Sequence, residues 1–204
     1  YVFLPGIFTG QQSTQWSVPN SLLFRGYDLV VLYRDSEDEA RSLEQEIGAR
    51  GQRARALAVD VGVESQVAGV FTDITRVEGR VDLLVNNVGN YNPQHVTRLD
   101  PTVWDATLAA NLSGAFYCCY HALRLMTGGG NIINISSVAA DRGLSHYGAT
   151  KLAIEAMTRG LANDMKNDGI AVNALKPVGG IDTPGIRFGR APGQVGGSTP
   201  HTKM

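Results

Sequence analysis

Cysteine is nearly missing from this chain of 204 residues: there are two, Cys118 and Cys119, and they are adjacent. Neighbouring cysteines are poorly placed to close a disulfide and match no metal-ligand spacing, so both read as small apolar groups in a helix. Histidine is scarce too, and His95, His121, His146 and His201 form no His-x3-His pair. No metal is expected. Net charge is almost nil, -1 with a pI near 6.5, which argues against nucleic acid or an anionic membrane held by bulk charge. No apolar run reaches membrane-spanning length, and no basic stretch followed by an apolar one opens the chain. A cytoplasmic protein without a membrane partner is the expectation.

What is present suits one globular domain: 43% hydrophobic and 18% charged residues, enough to bury a core and too apolar for a disordered chain. Residues 1–10 read as a strand leading into a turn, although Pro5 would remove a ladder donor from a central strand. From Gly26 the pattern sharpens. Apolar, strand-like runs at 28–33, 55–61, 81–85, 131–135 and 170–175 alternate with helix-compatible stretches at 36–50, 65–78, 103–126 and 147–166. The last of these helices carries Leu152, Ala153, Ala156, Met157 and Leu161 at helical spacing. Strands apolar on both faces and separated by helices predict an α/β fold, a doubly wound, Rossmann-like parallel sheet flanked by helices. Residues 1–184 are expected to form this single domain. The Gly-, Pro-, Ser- and Thr-rich stretch 185–204 is expected to be a loop-like tail.

In such a sheet the ligand crevice lies beyond the carboxyl ends of the strands. Polar residues gather there: Asp60, the run Asn86-Asn87-Val88-Gly89, Ser136-Ser137, and 173–177. Just downstream, Tyr147 and Lys151 stand four apart, on one face of the predicted helix. A cation about 5 Å from a phenol at an effective dielectric of about 20 favours the phenolate by roughly 3 kcal/mol, about two pK units. On this reading Tyr147 is acidified by Lys151 and becomes a general acid/base. Asn111 sits mid-helix, where asparagine is a poor former, which suggests chemistry and not helix building.

Taken in order, Asn86-Asn87-Val88-Gly89, Ala110-Asn111-Leu112-Ser113-Gly114, Ile135-Ser136-Ser137, Tyr147-x3-Lys151 and Val172-Asn173-Ala174-Leu175-Lys176-Pro177 resemble the short-chain dehydrogenase/reductase family, in particular its 3-oxoacyl-carrier-protein reductase branch. The resemblance implies a catalytic set. Tyr147 exchanges a proton with the substrate oxygen, Lys151 lowers its pKa and meets the nicotinamide ribose, Ser137 holds the substrate oxygen, and Asn111 relays protons toward the lysine. It also implies cofactor contacts at Gly10, Asp60, Val61, Asn87, Gly89, Pro177, Ile181 and Thr183. After the second strand, where an acidic side chain would select NAD, this chain has Arg34 and Ser36, which suit a 2′-phosphate. NADP(H) is therefore favoured over NAD(H), with a small-molecule carbonyl or alcohol as substrate.

The chain departs from the family pattern in four places. The glycine-rich phosphate loop is degenerate: Thr14 and Trp16 stand where glycines are usual. The Ser137-to-Tyr147 spacing is a few residues short, the turn after Pro177 is one residue long, and the family's last helix and strand find no counterpart. An alternative therefore stands beside the enzyme reading: a catalytically impaired or incomplete relative that keeps the fold but binds dinucleotide poorly. Helices 103–126 and 146–166 carry more apolar residues than one sheet face needs, so a homo-oligomer, a dimer in the first instance, is expected through them.

Overall fold

The computed structural model describes residues 2–5, 27–92, 94–141 and 145–177. Gly10, Ile181, Thr183, the phosphate loop and the tail 185–204 lie outside the described residues. Among those described, six strands form one sheet: β1 Val2–Pro5, β2 Leu29–Tyr33, β3 Ala54–Ala58, β4 Leu83–Asn86, β5 Gly130–Ile135 and β6 Ile170–Leu175. All pairings are parallel, in the order β3-β2-β1-β4-β5-β6. The chain order reverses across the sheet at β1 and β4, the switch point at which a doubly wound sheet opens its crevice. No described helix is long and apolar enough to cross a membrane.

Strand β2, Leu-Val-Val-Leu-Tyr, is buried throughout because helices cover both faces. Its alternate residues divide between two cores. Leu29, Val31 and Tyr33 pack with Ala40, Leu43 and Ile47 of α1 (Glu37–Ala49). Val30 and Leu32 join Val67, Phe71 and Ile74 of α2 (Glu64–Val77) and Cys118 and Cys119 of α4 (Gly114–Leu123). The two cysteines are thus apolar packing groups, as their position suggested. Burial pushes both thiols up, Cys119 to about 12.

Three features depart from the sequence pattern. Pro5 does sit in a central strand. It is the last residue of β1, where pairing with β4 has already stopped at Phe3 and pairing with β2 ends at Leu32. The expected helix 103–126 is two helices, α3 (Pro101–Leu108) and α4, joined by a π-helical turn at Ala109–Ser113. A Cβ on Gly114 would lie 2.8 Å from Val61 Cγ2, so only glycine lets the chain leave that turn against the loop after β3.

The third departure concerns α5 (Ser145–Asp164). Its apolar stripe is only partly its buried face: Leu152 is 51% exposed, whereas Leu161 packs part-buried against the core. The side turned into the protein carries His146, Thr150, Lys151, Ile154 and Thr158. The sheet end it covers is a polar site, and the stripe is left on the surface at Leu152.

Candidate active site

The carboxyl ends of β4 and β5 and the first turns of α5 meet around Gly89. A Cβ built there would lie 3.9 Å from both Tyr147 Oη and Lys151 Nζ, so phenol and amine converge on one point of backbone. Lys151 is 2% exposed and donates to the carbonyls of Ile135 (2.8 Å) and Val88 (3.3 Å). Burial pushes its pKa down to about 8.

The phenol corrects the expectation of acidification. Lys151 Nζ lies 5.6 Å from the Tyr147 ring centre, close to the assumed distance. Yet the pKa of Tyr147 is raised: burial is the largest cause, a hydrogen bond with Ser137 pulls it down, and Tyr91 pushes it up again. The pairwise Coulomb estimate left out desolvation, which penalises the phenolate and the ammonium alike.

Consecutive residues at the end of β5 serve different partners because extended backbone points them apart. Ser136 donates to Glu155 Oε1 (2.6 Å) on α5, whereas Ser137 turns to the phenol and caps the 3-10 turn Val138–Ala140 through Ala139 N (3.2 Å). Glu155 continues to Lys176 (2.9 Å), which also binds Asp141 (2.8 Å), so the ends of β5 and β6 are tied across α5.

Asn111 lies in the π turn and is buried. Its Oδ1 accepts from Asn90 N (2.6 Å), and its Nδ2 donates to Asn90 O (3.2 Å) and to Thr150 Oγ1 (3.2 Å). Wide π turns recur at functional sites because they aim a side chain out of the regular ladder. Here the aimed amide fixes the loop after Gly89 and reaches the residue next to Lys151.

The other predicted contacts line the same edge. Asp60 closes its own turn, accepting from Gly62 N (2.9 Å), with Val61 buried beside it. Asn87 and Gly89 follow β4, and Pro177 follows β6. Arg34 binds Asp35 through Nε (2.7 Å) at the end of β2, and Ser36 is buried at the start of α1 with no capping bond from its side chain. No described group of three or more His, Cys, Asp or Glu could hold a metal.

Sequence reasoning passed over a buried amide chain behind the lysine. Asn86, last in β4, donates to Asn134 Oδ1 of β5 (2.8 Å), and Asn134 Nδ2 donates to Thr158 Oγ1 of α5 (2.9 Å). The signal was available: Asn134 stands between two isoleucines of β5 and pairs directly opposite Asn86.

The family model for short chain dehydrogenase matches residues 18–189. This chain belongs to the short-chain dehydrogenase/reductase family. The 3-oxoacyl-(acyl-carrier-protein) reductase FabG of Staphylococcus aureus strain Mu50 is 31% identical over 166 residues, which are 79% of this chain and 68% of that protein. The 3beta-hydroxysteroid dehydrogenase of Mediterraneibacter gnavus is 32% identical over 160 residues, 76% of this chain and 58% of the relative. A short chain dehydrogenase from Burkholderia cenocepacia J2315, solved with NADP, superposes with a TM-score of 0.80 at 29% identity, covering 86% of this chain and 72% of its own. Family members are NAD(P)-dependent oxidoreductases, and this chain is of that class.

The residues present fit a nicotinamide dinucleotide. Lysine has three ammonium hydrogens, and two on Lys151 are used by Ile135 and Val88. Among the described residues no acceptor meets the third. A buried donor left over at a crevice suits a ribose hydroxyl.

Proposed function

We propose that this chain is an NADP(H)-dependent oxidoreductase that interconverts a carbonyl and a secondary alcohol, with Tyr147 as the general acid/base. The carrying observation is the meeting of Tyr147 Oη and Lys151 Nζ at Gly89, at the carboxyl end of the sheet. When bound, the nicotinamide supplies or takes up the hydride. In reduction, Tyr147 Oη hands its proton to the substrate oxygen as charge builds there, and in oxidation it takes one back. The Ser137 hydroxyl, already bonded to the phenol, turns to the same oxygen. Lys151 holds the ribose with its third hydrogen and stabilises the phenolate once the proton has left. Asn111 and Thr150 carry the relay by which that proton is replaced.

Preference for NADP(H) is supported by Arg34. Among the described residues it is bound only through Nε, leaving both terminal nitrogens for a phosphate. Titration with NADPH and with NADH, followed by nicotinamide fluorescence, tests both parts. Saturable NADPH binding, weaker with NADH, is expected, and Arg34→Ala should narrow the difference. No saturable signal from either would favour the second reading, a relative that keeps the fold but binds dinucleotide poorly, for which Thr14 and Trp16 in the phosphate loop speak.

Leu152 of α5, 51% exposed, and the aromatic face of α4, with Phe116 46% and Tyr120 45% exposed, support a homodimer through these helices.

A further inference from the structure

Asn90, Tyr91 and Asn92 leave β4 immediately after Gly89, and both neighbours of Tyr91 are clamped. Asn111, buried in the π turn, takes the N–H and the carbonyl of Asn90 at 2.6 and 3.2 Å. His146, 2% exposed and first to enter the protein from α5, bonds the carbonyl of Asn92 through Nε2 at 2.8 Å. The carbonyl is an acceptor, so that ring nitrogen carries the hydrogen. Between the clamps the Tyr91 ring meets the Tyr147 ring edge-on, with centres 4.9 Å apart and planes 72° apart. Tyr91 is nonetheless 46% exposed.

Buried polar groups on two different elements hold three residues of loop, yet the aromatic between them is left half open beside the reacting phenol. A tyrosine fixed in this way is a wall with one free surface. Its distance to Tyr147 is that of a group touching whatever is attached to the reacting carbon. Aromatic surfaces favour flat, polarisable neighbours over small aliphatic ones.

Resting on the catalytic reading of Tyr147, we propose that Tyr91 is a specificity-determining residue that selects substrates bearing a planar, aryl-like group next to the carbonyl. The ring supplies the selection and its hydroxyl does not.

The test compares wild type, Tyr91→Ala and Tyr91→Phe in NADPH-dependent reduction of acetophenone and of butan-2-one. The ratio of kcat/KM for the aryl over the alkyl ketone should fall about tenfold in Tyr91→Ala, chiefly through KM, and should survive in Tyr91→Phe. An unchanged ratio in Tyr91→Ala overturns the proposal, and an equal fall in Tyr91→Phe overturns the assignment to the ring. If wild type reduces neither ketone, the titration with NADPH decides the catalytic reading, and saturation-transfer NMR with acetophenone decides the role of Tyr91. A saturation-transfer signal that is present in wild type and vanishes in Tyr91→Ala supports the ring as a binding wall; an equal signal in both, or none in wild type, refutes it. Thermal unfolding of each variant reports on folding.

Discussion

Lys151 donates from a buried ammonium to the carbonyl of Ile135 at 2.8 Å, so the end of β5 is held by a cation that burial disfavours. Its pKa stands at about 8 in the folded chain against 10.5 for a free lysine. Between these values the unfolded chain holds a proton that the folded chain does not, so unfolding free energy rises with pH across this window. The whole rise is worth about 3 kcal/mol. Urea unfolding at pH 7.5, 9 and 10 should show it in wild type and not in Lys151→Met; parallel curves for the two proteins would contradict the burial argument.

Asn134→Ala removes the partner of the Asn86 amide and of the Thr158 hydroxyl at once. Asn86 Nδ2 keeps its longer contacts with Cys119 Sγ (3.3 Å) and Ala115 O (3.4 Å), and Thr158 Oγ1 keeps its bond to Ile154 O (2.7 Å), so losing the two bonds costs about 1–2 kcal/mol in total. Chemical denaturation measures it, and a loss under about 0.5 kcal/mol would mean that the amide chain adds no net stability.

Tyr147→Phe keeps the ring and removes the hydroxyl, and with it the exchangeable proton and the hydrogen bond with Ser137. Turnover should fall by about 10²–10⁴-fold while NADPH affinity stays nearly constant. Parallel loss of both would assign the hydroxyl to binding and not to proton transfer.

Phe116→Glu together with Leu152→Glu places charge on the two exposed helix faces. Sedimentation velocity at micromolar concentration should show dimers in wild type and monomers in the variant. A wild-type monomer would sink the homodimer.

The sheet was legible because apolar runs alternating with helical periods leave few other folds, and the observed β2, α1, β5 and β6 lie within two residues of the predicted bounds. Tyr147, Lys151 and Gly89 were legible as a group because their spacing and strand-end positions express local geometry. The raised pKa of Tyr147 was not, since desolvation depends on what the whole fold packs around a phenol. The inward face of α5 was hidden for a related reason. Helical periodicity marks an apolar side, and here that side looks outward at Leu152 because the inner side of the first turns closes a polar crevice. The clamps on Asn90 and Asn92 join residues 21 and 54 positions apart, distances over which no local pattern carries information.

The π turn at Ala109–Ser113 also keeps a phase. Its wide winding absorbs one residue more than an α turn holds, so deleting one residue there would return the backbone to regular winding and leave everything beyond it in nearly the same rotation. Cys118 and Cys119 would still face the core and Phe116 and Tyr120 the outside, while Asn111 would lose the wide turn that aims its amide at Asn90. The extra residue thus lets one continuous helical rod offer its amide to the crevice at one level and its aromatics to the outside at the next.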